Sequence, residues 1–314
     1  MTLMTTPPTT VVPWRLFRTV VGAVEVLSPS LRRIRFVGSD LEHFDDPGLD
    51  QRIKLLVGAA PVDLHATDDW YAGWLGLPDE VRPAMRTYTT RRVTHTAAGS
   101  SVDVDMVVHH DAGPAGDWAA RAEVGDEAML VGPDRRFQGD PGGRAFALPA
   151  GAREVLLVGD ETALPAVARI LEDLAAADER GLRVTALVEV PTAADCLDLV
   201  APDGAQVVWL VRAGRPHGFA LDRAVRSWTM VAAGARANGA SAGIDGATDE
   251  DELLWEVPEA DEASSGTPLR GAYVWVAAEQ GVVRGIRRHL LGEVGLGRAQ
   301  VALMGYWRLG RPQA

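Results

Sequence analysis

The stretch RTYTTR at residues 86–91 decides the interpretation of this chain, because it combines two arginines, a tyrosine and three threonines on one short extended segment. Side chains alternate along a strand, so Arg86 and Tyr88 should face one side and Thr89 the other. An arginine fork matches two pyrophosphate oxygens, a tyrosine ring can lie against an isoalloxazine, and a threonine hydroxyl can reach a flavin ring atom. The stretch therefore predicts a flavin site. An edge strand with solvated arginines is the alternative.

A second phosphate-binding pattern follows shortly after the first. An alternating strand from Val102 to His109 leads into a glycine-containing turn and a helix that starts near Pro114. Proline suits the first helical position, where its missing N–H is not needed. The free amides behind it can bind an anion at the positive end of the helix dipole.

Both stretches resemble motifs of the siderophore-interacting protein family, flavin-dependent ferric-siderophore reductases related to ferredoxin–NADP reductases. The family carries R-x-Y-T-x-R and then H-G-x-x-G-P-A-x-x-W-A, and this chain matches both except that His110 replaces the first glycine of the second motif. The resemblance implies that FAD is bound by the matching residues and by an aspartate on the strand between them: Arg86, Tyr88, Thr89, Thr90, Arg91, Asp103, His109, Gly113, Pro114, Ala115 and Trp118.

A third segment, VLLVGDETALPA at residues 155–166, is an apolar run, a turn and a helix that continues to about Ala177. Such a junction at the carboxyl end of a parallel strand is typical of nucleotide sites. The family shares G-D-E-T-A-L-P-A, which implies NAD(P)H binding by Gly159, Asp160, Glu161, Thr162 and Ala163. Because the two carboxylates would repel a pyrophosphate, we expect the threonine hydroxyl and nearby amides to contact the cofactor. An ordinary capped helix is the alternative.

Two C-terminal segments complete the resemblance. The ending G-Y-W-R-x-G is matched by residues 305–310, so Tyr306 and Trp307 should cap the flavin or line the substrate entrance, or else pack across the domain interface. Trp275 to Glu279 is similar to a W-x-A-G-E pattern of the family. Glu279 ends a predicted parallel strand, so it either faces the nicotinamide or caps the next helix.

Composition excludes several classes of protein. A single cysteine among 314 residues rules out an intramolecular disulfide and a cysteine-rich metal site, and a formal charge of −12 argues against a nucleic-acid partner. Nothing before Trp14 looks like a signal peptide, and no apolar run reaches the roughly 20 residues needed to cross a bilayer. We therefore expect a cytoplasmic protein without membrane insertion.

The pattern of elements predicts a β + α/β chain with two domains. Short alternating strands with glycine and proline turns predict an N-terminal antiparallel FAD-binding β-barrel at residues 1–148. Strands and helices then alternate, which predicts a parallel-sheet NAD(P)H-binding α/β domain at residues 152–314. A glycine-, alanine- and serine-rich and then acidic stretch at about 235–267 predicts a mobile surface insertion.

Two basic residues are candidates for substrate recognition. Lys54, the only lysine among 31 basic residues, lies on an alternating strand, and Arg308 lies in the last motif. We assign to both the attraction of an anionic substrate, with an outward-facing Lys54 as the alternative. The sequence shows no clear 2′-phosphate site; Arg212 and Arg215, after the third strand of the second domain, are candidates.

The four ordered motifs predict an FAD-dependent reductase that acts on a ferric siderophore. NAD(P)H or reduced ferredoxin would supply electrons, and the flavin would carry the chemistry, so neither a catalytic side chain nor a resident metal is predicted. A general NAD(P)H–flavin or quinone reductase, and a siderophore-binding protein without turnover, are the alternatives.

Overall fold

The computed structural model of the chain describes residues 11–58, 64, 69–108, 113–177, 181–234, 253–258 and 269–310. These residues form two β-sheets, and each sheet is the centre of one structural unit. The first sheet uses strands up to Pro133 and the second uses strands from Glu154 onward, so the chain passes from one unit to the other between these residues.

The first sheet is antiparallel and has the strand order β4-β3-β7-β1-β2-β6-β5. Its strands are β1 Trp14–Ser28, β2 Leu31–Val37, β3 Arg52–Val57, β4 Ala84–Thr89, β5 Arg92–Thr96, β6 Gly99–Val107 and β7 Glu127–Pro133. Within β1, Phe17, Thr19 and Val21 are buried, whereas Arg18 and Val20 are exposed. This period of two turns one apolar face of the sheet toward a single core. The centre of that core contains Phe17, Ile34, Phe36, Ile53, Leu55, Val104 and Leu130.

Two helices belong to the first unit. Helix α1 spans Trp70–Leu75, and the carboxylate of Asp69 caps it by accepting the first free backbone N–H groups. Helix α2 spans Gly113–Arg121, and its Ala115 and Ala119 pack into the core of the sheet. Helix α2 lies against β2, β4 and β6, which brings its start close to the RTYTTR stretch.

The second sheet has the order β10-β9-β8-β12-β13-β11. Its strands are β8 Glu154–Gly159, β9 Arg183–Val190, β10 Gln206–Val211, β11 Trp255–Glu256, β12 Ala272–Glu279 and β13 Val301–Trp307. The neighbours are parallel except for β11, which runs antiparallel to β13. The central strands β8 and β12 are buried along almost their whole length, as expected of a sheet that is covered on both faces.

Helices cover the two faces of this sheet. Helix α3, Leu164–Ala177, packs on one face, while α4, Phe219–Gly234, and α5, Gln280–Arg287, pack on the other. Helix α5 continues as a π-helical turn at Arg288–Glu293. At the junction of β8 and α3, a Cβ atom on Gly159 would lie 2.8 Å from the Cβ of Ala163, so the strand and the helix can approach this closely only at a glycine.

A buried aspartate joins the two units. Asp50 is fully buried, and its carboxylate accepts the backbone N–H groups of Ala145 and Phe146 at 3.0–3.1 Å. It also accepts the indole Nε1 of Trp275 on β12 at 3.0 Å. Burial is the largest influence on this carboxyl and raises its pKa, while the three donors oppose the rise. Asp50 thus connects the first unit, the linker and the core of the second.

Part of the segment that was predicted to be a mobile insertion is folded. Residues 253–258 include the edge strand β11, and Leu254, directly before it, is 4% exposed and accepts the N–H of Gly305 through its backbone carbonyl. The carboxylate of Glu256 accepts hydrogen bonds from the guanidinium nitrogens of Arg287 at 2.9–3.0 Å. A short apolar run thus supplies a strand and an anchor inside a polar sequence, whereas the mobile insertion at about 235–267 stays a prediction. Residues 235–252 and 259–268 lie outside the described part of the chain.

The predicted fold class, an antiparallel β-domain followed by a parallel-sheet α/β domain, is confirmed. The barrel is open, because its edge strands β4 and β5 do not pair with each other among the described residues. In the part of the chain that the structure describes, no helix is both long and apolar enough to cross a membrane.

Candidate functional site

The carboxyl ends of β8 and β12 form the topological switch point of the parallel sheet. The chain continues from β8 to β9 and β10 on one side, whereas β12 is followed by β13 on the other. In open parallel sheets, ligands bind in the crevice outside the strands at this point. Three predicted segments meet here: Asp160 follows β8, Glu279 ends β12 and Trp307 ends β13.

Asp160 ties these three segments together. It is 2% exposed, and one carboxylate oxygen accepts the N–H and the hydroxyl of Thr162 at 2.9 and 2.5 Å. The other accepts the N–H of Glu279 at 3.0 Å and the indole Nε1 of Trp307 at 2.8 Å. Burial, reinforced by the neighbouring Glu161, raises the pKa of Asp160 to about 6 against these donors. The Asp160 carboxylate therefore points into the protein, and the Thr162 hydroxyl already donates its hydrogen bond to it.

Glu161 is also directed inward. It is 1% exposed and receives both terminal nitrogens of Arg212, at 2.9 and 2.6 Å. Arg212 also lies 3.3 Å from Glu189, whose carboxylate caps α4 by accepting the N–H groups of Gly218 and Ala220. Arg212, one of the two candidates for a 2′-phosphate site, is thus held in a buried ion-pair cluster.

Glu279 caps the helix that follows it. One of its carboxylate oxygens accepts the N–H of Val282 at 3.1 Å, and the other accepts the N–H of Leu309 at 3.2 Å. The structure therefore has the helix cap that was one of the two alternatives. A contact of Glu279 with nicotinamide stays a prediction.

The C-terminal aromatic residues pack between the two units. The ring of Tyr306 lies parallel to Trp255 of β11, with centroids 5.9 Å apart, and the guanidinium carbon of Arg52 on β3 lies 4.2 Å from the centre of Trp255. Trp307 meets His217 edge-on at 4.8 Å. Burial raises the pKa of Tyr306 well above its ordinary value. These contacts agree with the interface alternative, and a flavin-capping role stays a prediction.

On the first unit, Arg86 and Tyr88 face the side on which α2 packs. Their partners across the β3–β4 ladder are Leu55 and Ile53, both core residues. Burial lowers the pKa of Arg86, whose only described hydrogen bond goes to the carbonyl of Met85 at 2.9 Å. A half-buried cation without a carboxylate partner among the described residues is suited to an anionic ligand. Burial also raises the pKa of the Tyr88 hydroxyl.

The start of α2 supplies further groups on this side. Gly113 has φ 67°, a conformation that favours glycine, and it is followed by Pro114 and the buried Ala115. The first turn of α2 has no acidic side chain that would repel an anion. Trp118 stacks on Phe36 with centroids 6.3 Å apart, so it packs in the core beside this end of the sheet. His109 lies outside the described residues.

Two other residues predicted to bind FAD are engaged in ion pairs, one between the units and one within the first unit. Arg91 is 7% exposed, and its terminal nitrogens donate to Glu172 on α3, one of them at 2.6 Å. Asp103 receives Arg35 through two hydrogen bonds of 2.8 and 2.9 Å. The flavin contacts predicted for Arg91 and Asp103 stay predictions, since these structural contacts already occupy their side chains.

One threonine hydroxyl near Tyr88 has no partner among the described residues. Thr89 is 6% exposed, and Thr90 is 1% exposed, with a hydroxyl that has no hydrogen-bond partner among the described residues. A buried hydroxyl without a partner is costly unless a ligand completes it. Together with Arg86 and the start of α2, Thr90 fits a phosphate- and ring-bearing cofactor such as FAD.

The predicted substrate residues lie near the interface of the two units. Lys54 lies two residues after Arg52 on β3, so both side chains share the face of the strand that is opposite to the core. The ammonium group of Lys54 donates to Thr87 at 2.7 Å, and burial followed by the charge of Arg52 lowers its pKa. Arg308 directly follows Trp307 and is half-buried.

Sequence reasoning missed two residues of this interface. Arg52 could have been found from the same alternation that singled out Lys54. Trp255 carried a weaker signal, the apolar run Leu253 to Trp255 between acidic residues, which is too short to predict a strand by period.

An antiparallel sheet followed by a parallel sheet with a switch-point crevice is the arrangement expected of a two-domain flavin-dependent oxidoreductase. The description "Siderophore-interacting FAD-binding domain" matches residues 20–137, and "Siderophore-interacting protein" matches residues 152–310. The chain belongs to the siderophore-interacting protein family. The predicted family and the predicted FAD cofactor are thereby confirmed.

Known proteins are similar over most of the chain. An uncharacterized protein of Mycobacterium tuberculosis is 37% identical over 212 residues, covering 65% of this chain and 68% of that protein. The NADPH-dependent ferric-chelate reductase of Escherichia coli K12 is 31% identical over 191 residues, covering 60% and 68%. The crystal structure of a siderophore utilization protein from T. fusca has a TM-score of 0.63 at 27% identity and covers 96% of both chains.

Proposed function

We propose that the chain is a reductase that uses NAD(P)H to reduce the Fe(III) of a ferric siderophore, which releases Fe(II). When bound, FAD supplies the redox chemistry, since it takes two electrons as a hydride and passes them one at a time to two ferric ions. We place this reaction in the cytoplasm. The relative from Escherichia coli is named an NADPH-dependent ferric-chelate reductase, which supports the proposal.

The residues of the chain bind and orient the reactants. Arg86 and the start of α2 would hold the FAD phosphates, the ring of Tyr88 would lie against the flavin, and the Thr90 hydroxyl would donate to it. On the second unit, Asp160 fixes the relative positions of the strand ends that form the floor of the crevice. Electron transfer to Fe(III) needs no acid–base side chain. The residues of the site therefore have to orient the reactants and supply charge.

The observation that carries the ferric-siderophore assignment is a pair of neighbouring cations. Arg52 and Lys54 share one face of β3 at the interface of the units, and neither pairs with a carboxylate among the described residues. In a chain of net charge −12, an uncompensated positive site attracts an anionic substrate and leaves the rest of the surface repulsive. Ferric siderophore complexes that carry negative charge fit such a site better than neutral quinones do.

Two half-reactions test the proposal under anaerobic conditions. NADH, NADPH and reduced ferredoxin are each mixed with the FAD-loaded protein, and bleaching of the flavin absorbance measures donor oxidation. The reduced protein is then mixed with a ferric siderophore, a quinone or free flavin, and an Fe(II) chelator reports iron reduction. Faster reoxidation by the ferric siderophore than by quinone or flavin is expected. The reverse order would favour the general reductase, and a protein that binds siderophore without flavin turnover would favour the carrier.

Charge reversal separates substrate recognition from cofactor support. Lys54→Glu and Arg308→Glu should slow the ferric step more than flavin reduction by NAD(P)H, because a charge within about 10 Å of the substrate path is only partly screened at physiological salt. Raising the salt concentration should reduce the difference. Arg121→Glu, at the outer end of α2, is the control of equal charge change. Equal loss in both half-reactions would assign these residues to the flavin or the interface instead.

A further inference from the structure

Helix α1 presents a cluster of aromatic side chains at the surface of the first unit. Trp70 meets Tyr71 edge-on with ring centroids 5.6 Å apart, and Tyr71 stacks on Trp74 at 5.8 Å with an angle of 20° between the rings. Tyr71 is 46% exposed, Leu75 is 50% exposed, and no residue of α1 is fully buried. Apolar surface that folding leaves in contact with water marks a binding site. We call the rings of Trp70, Tyr71 and Trp74 the aromatic platform.

The aromatic platform is fixed in place by its neighbours. The guanidinium group of Arg82 donates to the backbone carbonyls of Trp74, Leu75 and Leu77 at 3.2, 3.0 and 2.5 Å. Its central carbon lies 5.5 Å from the centre of the Trp74 ring. The indole Nε1 of Trp74 donates to the carbonyl of Pro83 at 2.9 Å. Because the rings are already ordered, a ligand that stacks on them pays little entropy for ordering the protein.

The aromatic platform lies beside one of the two cations of β3. Trp70 and Trp74 pack in a cluster with Leu56 and Met85, which are cross-strand partners on β3 and β4. Lys54 precedes Leu56 by two residues, so the two side chains share one face of the strand about 7 Å apart. Lys54 is exposed. A ligand that binds the ammonium group of Lys54 therefore has an aromatic surface next to it.

The aromatic residue at the other end of this face is already covered. Arg52 precedes Lys54 by two residues, and its guanidinium carbon lies 4.2 Å from the centre of the Trp255 ring. Tyr306 stacks on the same indole with an angle of 5° between the rings. The outer face of β3 thus carries two cations, with engaged rings beside Arg52 and the open aromatic platform beside Lys54.

We propose that the aromatic platform binds an aryl ring of an anionic ferric chelate whose charge is held by Lys54. Aryl chelating groups such as catecholates are planar, so one ring can stack on Tyr71 while the anionic iron centre lies near the ammonium group. Lys54 attracts any anionic chelate, whereas the aromatic platform favours aryl chelating groups over aliphatic ones. This substrate class rests on the proposed function, in which a ferric chelate is reduced, but ring-dependent binding needs no electron transfer.

Calorimetry with redox-inert Ga(III) complexes tests the aromatic platform on the FAD-loaded protein. A hexadentate tris-catecholate and tris-oxalate give complexes of equal charge, with and without aryl rings. The wild type should bind the catecholate complex about 3- to 10-fold more tightly, as expected of one aromatic stack. Tyr71→Ala should remove most of this advantage, and Tyr71→Phe should keep it. Lys54→Gln should weaken both complexes and preserve their ratio. Val124→Ala, which removes exposed apolar surface in the turn before β7, is the control and should change neither.

Ferric complexes of the same two ligands separate this inference from the proposed function. Each is mixed with the reduced protein, and reoxidation of the flavin is followed. Equal binding of the two Ga(III) complexes to the wild type, or an advantage that survives Tyr71→Ala, would overturn the aromatic platform even if both ferric complexes are reduced. If neither ferric complex reoxidises the flavin while the ring-dependent binding holds, the proposed function fails and the aromatic platform stands as a binding site.

Discussion

Arg212→Ala should destabilise the α/β unit strongly without changing donor selectivity. The substitution leaves Glu161 at 1% exposure and Glu189 at full burial without their shared cation. Removing one partner of a buried ion pair costs about 3–5 kcal/mol, because the remaining charge is uncompensated. For a unit of this size each kcal/mol lowers the melting temperature by about 2–4 °C, so a drop of at least about 6 °C is expected.

The assay is thermal and chemical unfolding followed by circular dichroism, with Arg226→Ala as the matched control. Arg226 is 40% exposed and pairs with two carboxylates of similar exposure, so its loss should cost no more than about 1 kcal/mol. Replacing Arg212 and Glu161 together by methionine and leucine should recover part of the stability, since the uncompensated charge of Glu161 disappears.

Two results would refute this reasoning. A loss below about 1 kcal/mol for Arg212→Ala would mean that the buried cluster is not stabilised by its cation. A selective loss of NADPH over NADH turnover in a variant that remains folded would make Arg212 a 2′-phosphate ligand instead of a structural cation of the buried cluster.

Three further substitutions test other parts of the interface. Arg86→Ala should lower FAD affinity by one to two decades, about 1.5–3 kcal/mol, in a fluorescence titration, whereas Arg121→Ala should not, and full flavin occupancy would remove Arg86 from the phosphate site. Trp255→Ala should cost about 1–3 kcal/mol through lost stacking and cation–π contact, and Trp255→Phe should restore most of it; equal stability of the two would contradict the stack. Because burial raises the pKa of Asp160 to about 6, its ionisation opposes folding, so as the pH rises from about 4 to about 6 the wild type should lose about 2 kcal/mol of stability relative to Asp160→Asn in urea unfolding. A difference that does not change with pH would refute this shift.

The fold could be predicted because its signals are local. The apolar run of β8 followed by Gly159, and the period-two pattern of β3, depend on neighbouring residues, and each element forms where its pattern lies. Strand β11 could not be predicted in this way. Leu254 and Glu256, which flank and end this strand, contact the N–H of Gly305 and Arg287, partners that are distant in the sequence and are brought close only by the folded sheet.

The candidate site could be predicted as a set of segments but not as a set of contacts. The motifs that contain Asp160, Glu279 and Trp307 do meet, at the carboxyl edge of the parallel sheet. A motif does not reveal which way a charged side chain points, because that depends on partners from other elements. Arg91 and Glu161 illustrate this limit, since Glu172 and Arg212, which lie 81 and 51 residues further along the chain, already engage their charges.

The carboxylates of Asp160 and Glu161 point into the protein, and this changes how the nucleotide site must bind its ligand. Asp160 and Glu161 were expected to stand beside the cofactor, where their charges would oppose a pyrophosphate. The structure instead places both at 2% exposure or less, where Arg212 and the donors around Asp160 offset them. The crevice floor is therefore rigid, and it carries few free donors of its own for an anion. Affinity for a phosphorylated donor must then come from groups outside this floor, where charges are exposed and screened by salt. Donor binding should consequently weaken steeply as salt rises, whereas unfolding of the α/β unit should not, because its ion pairs are buried.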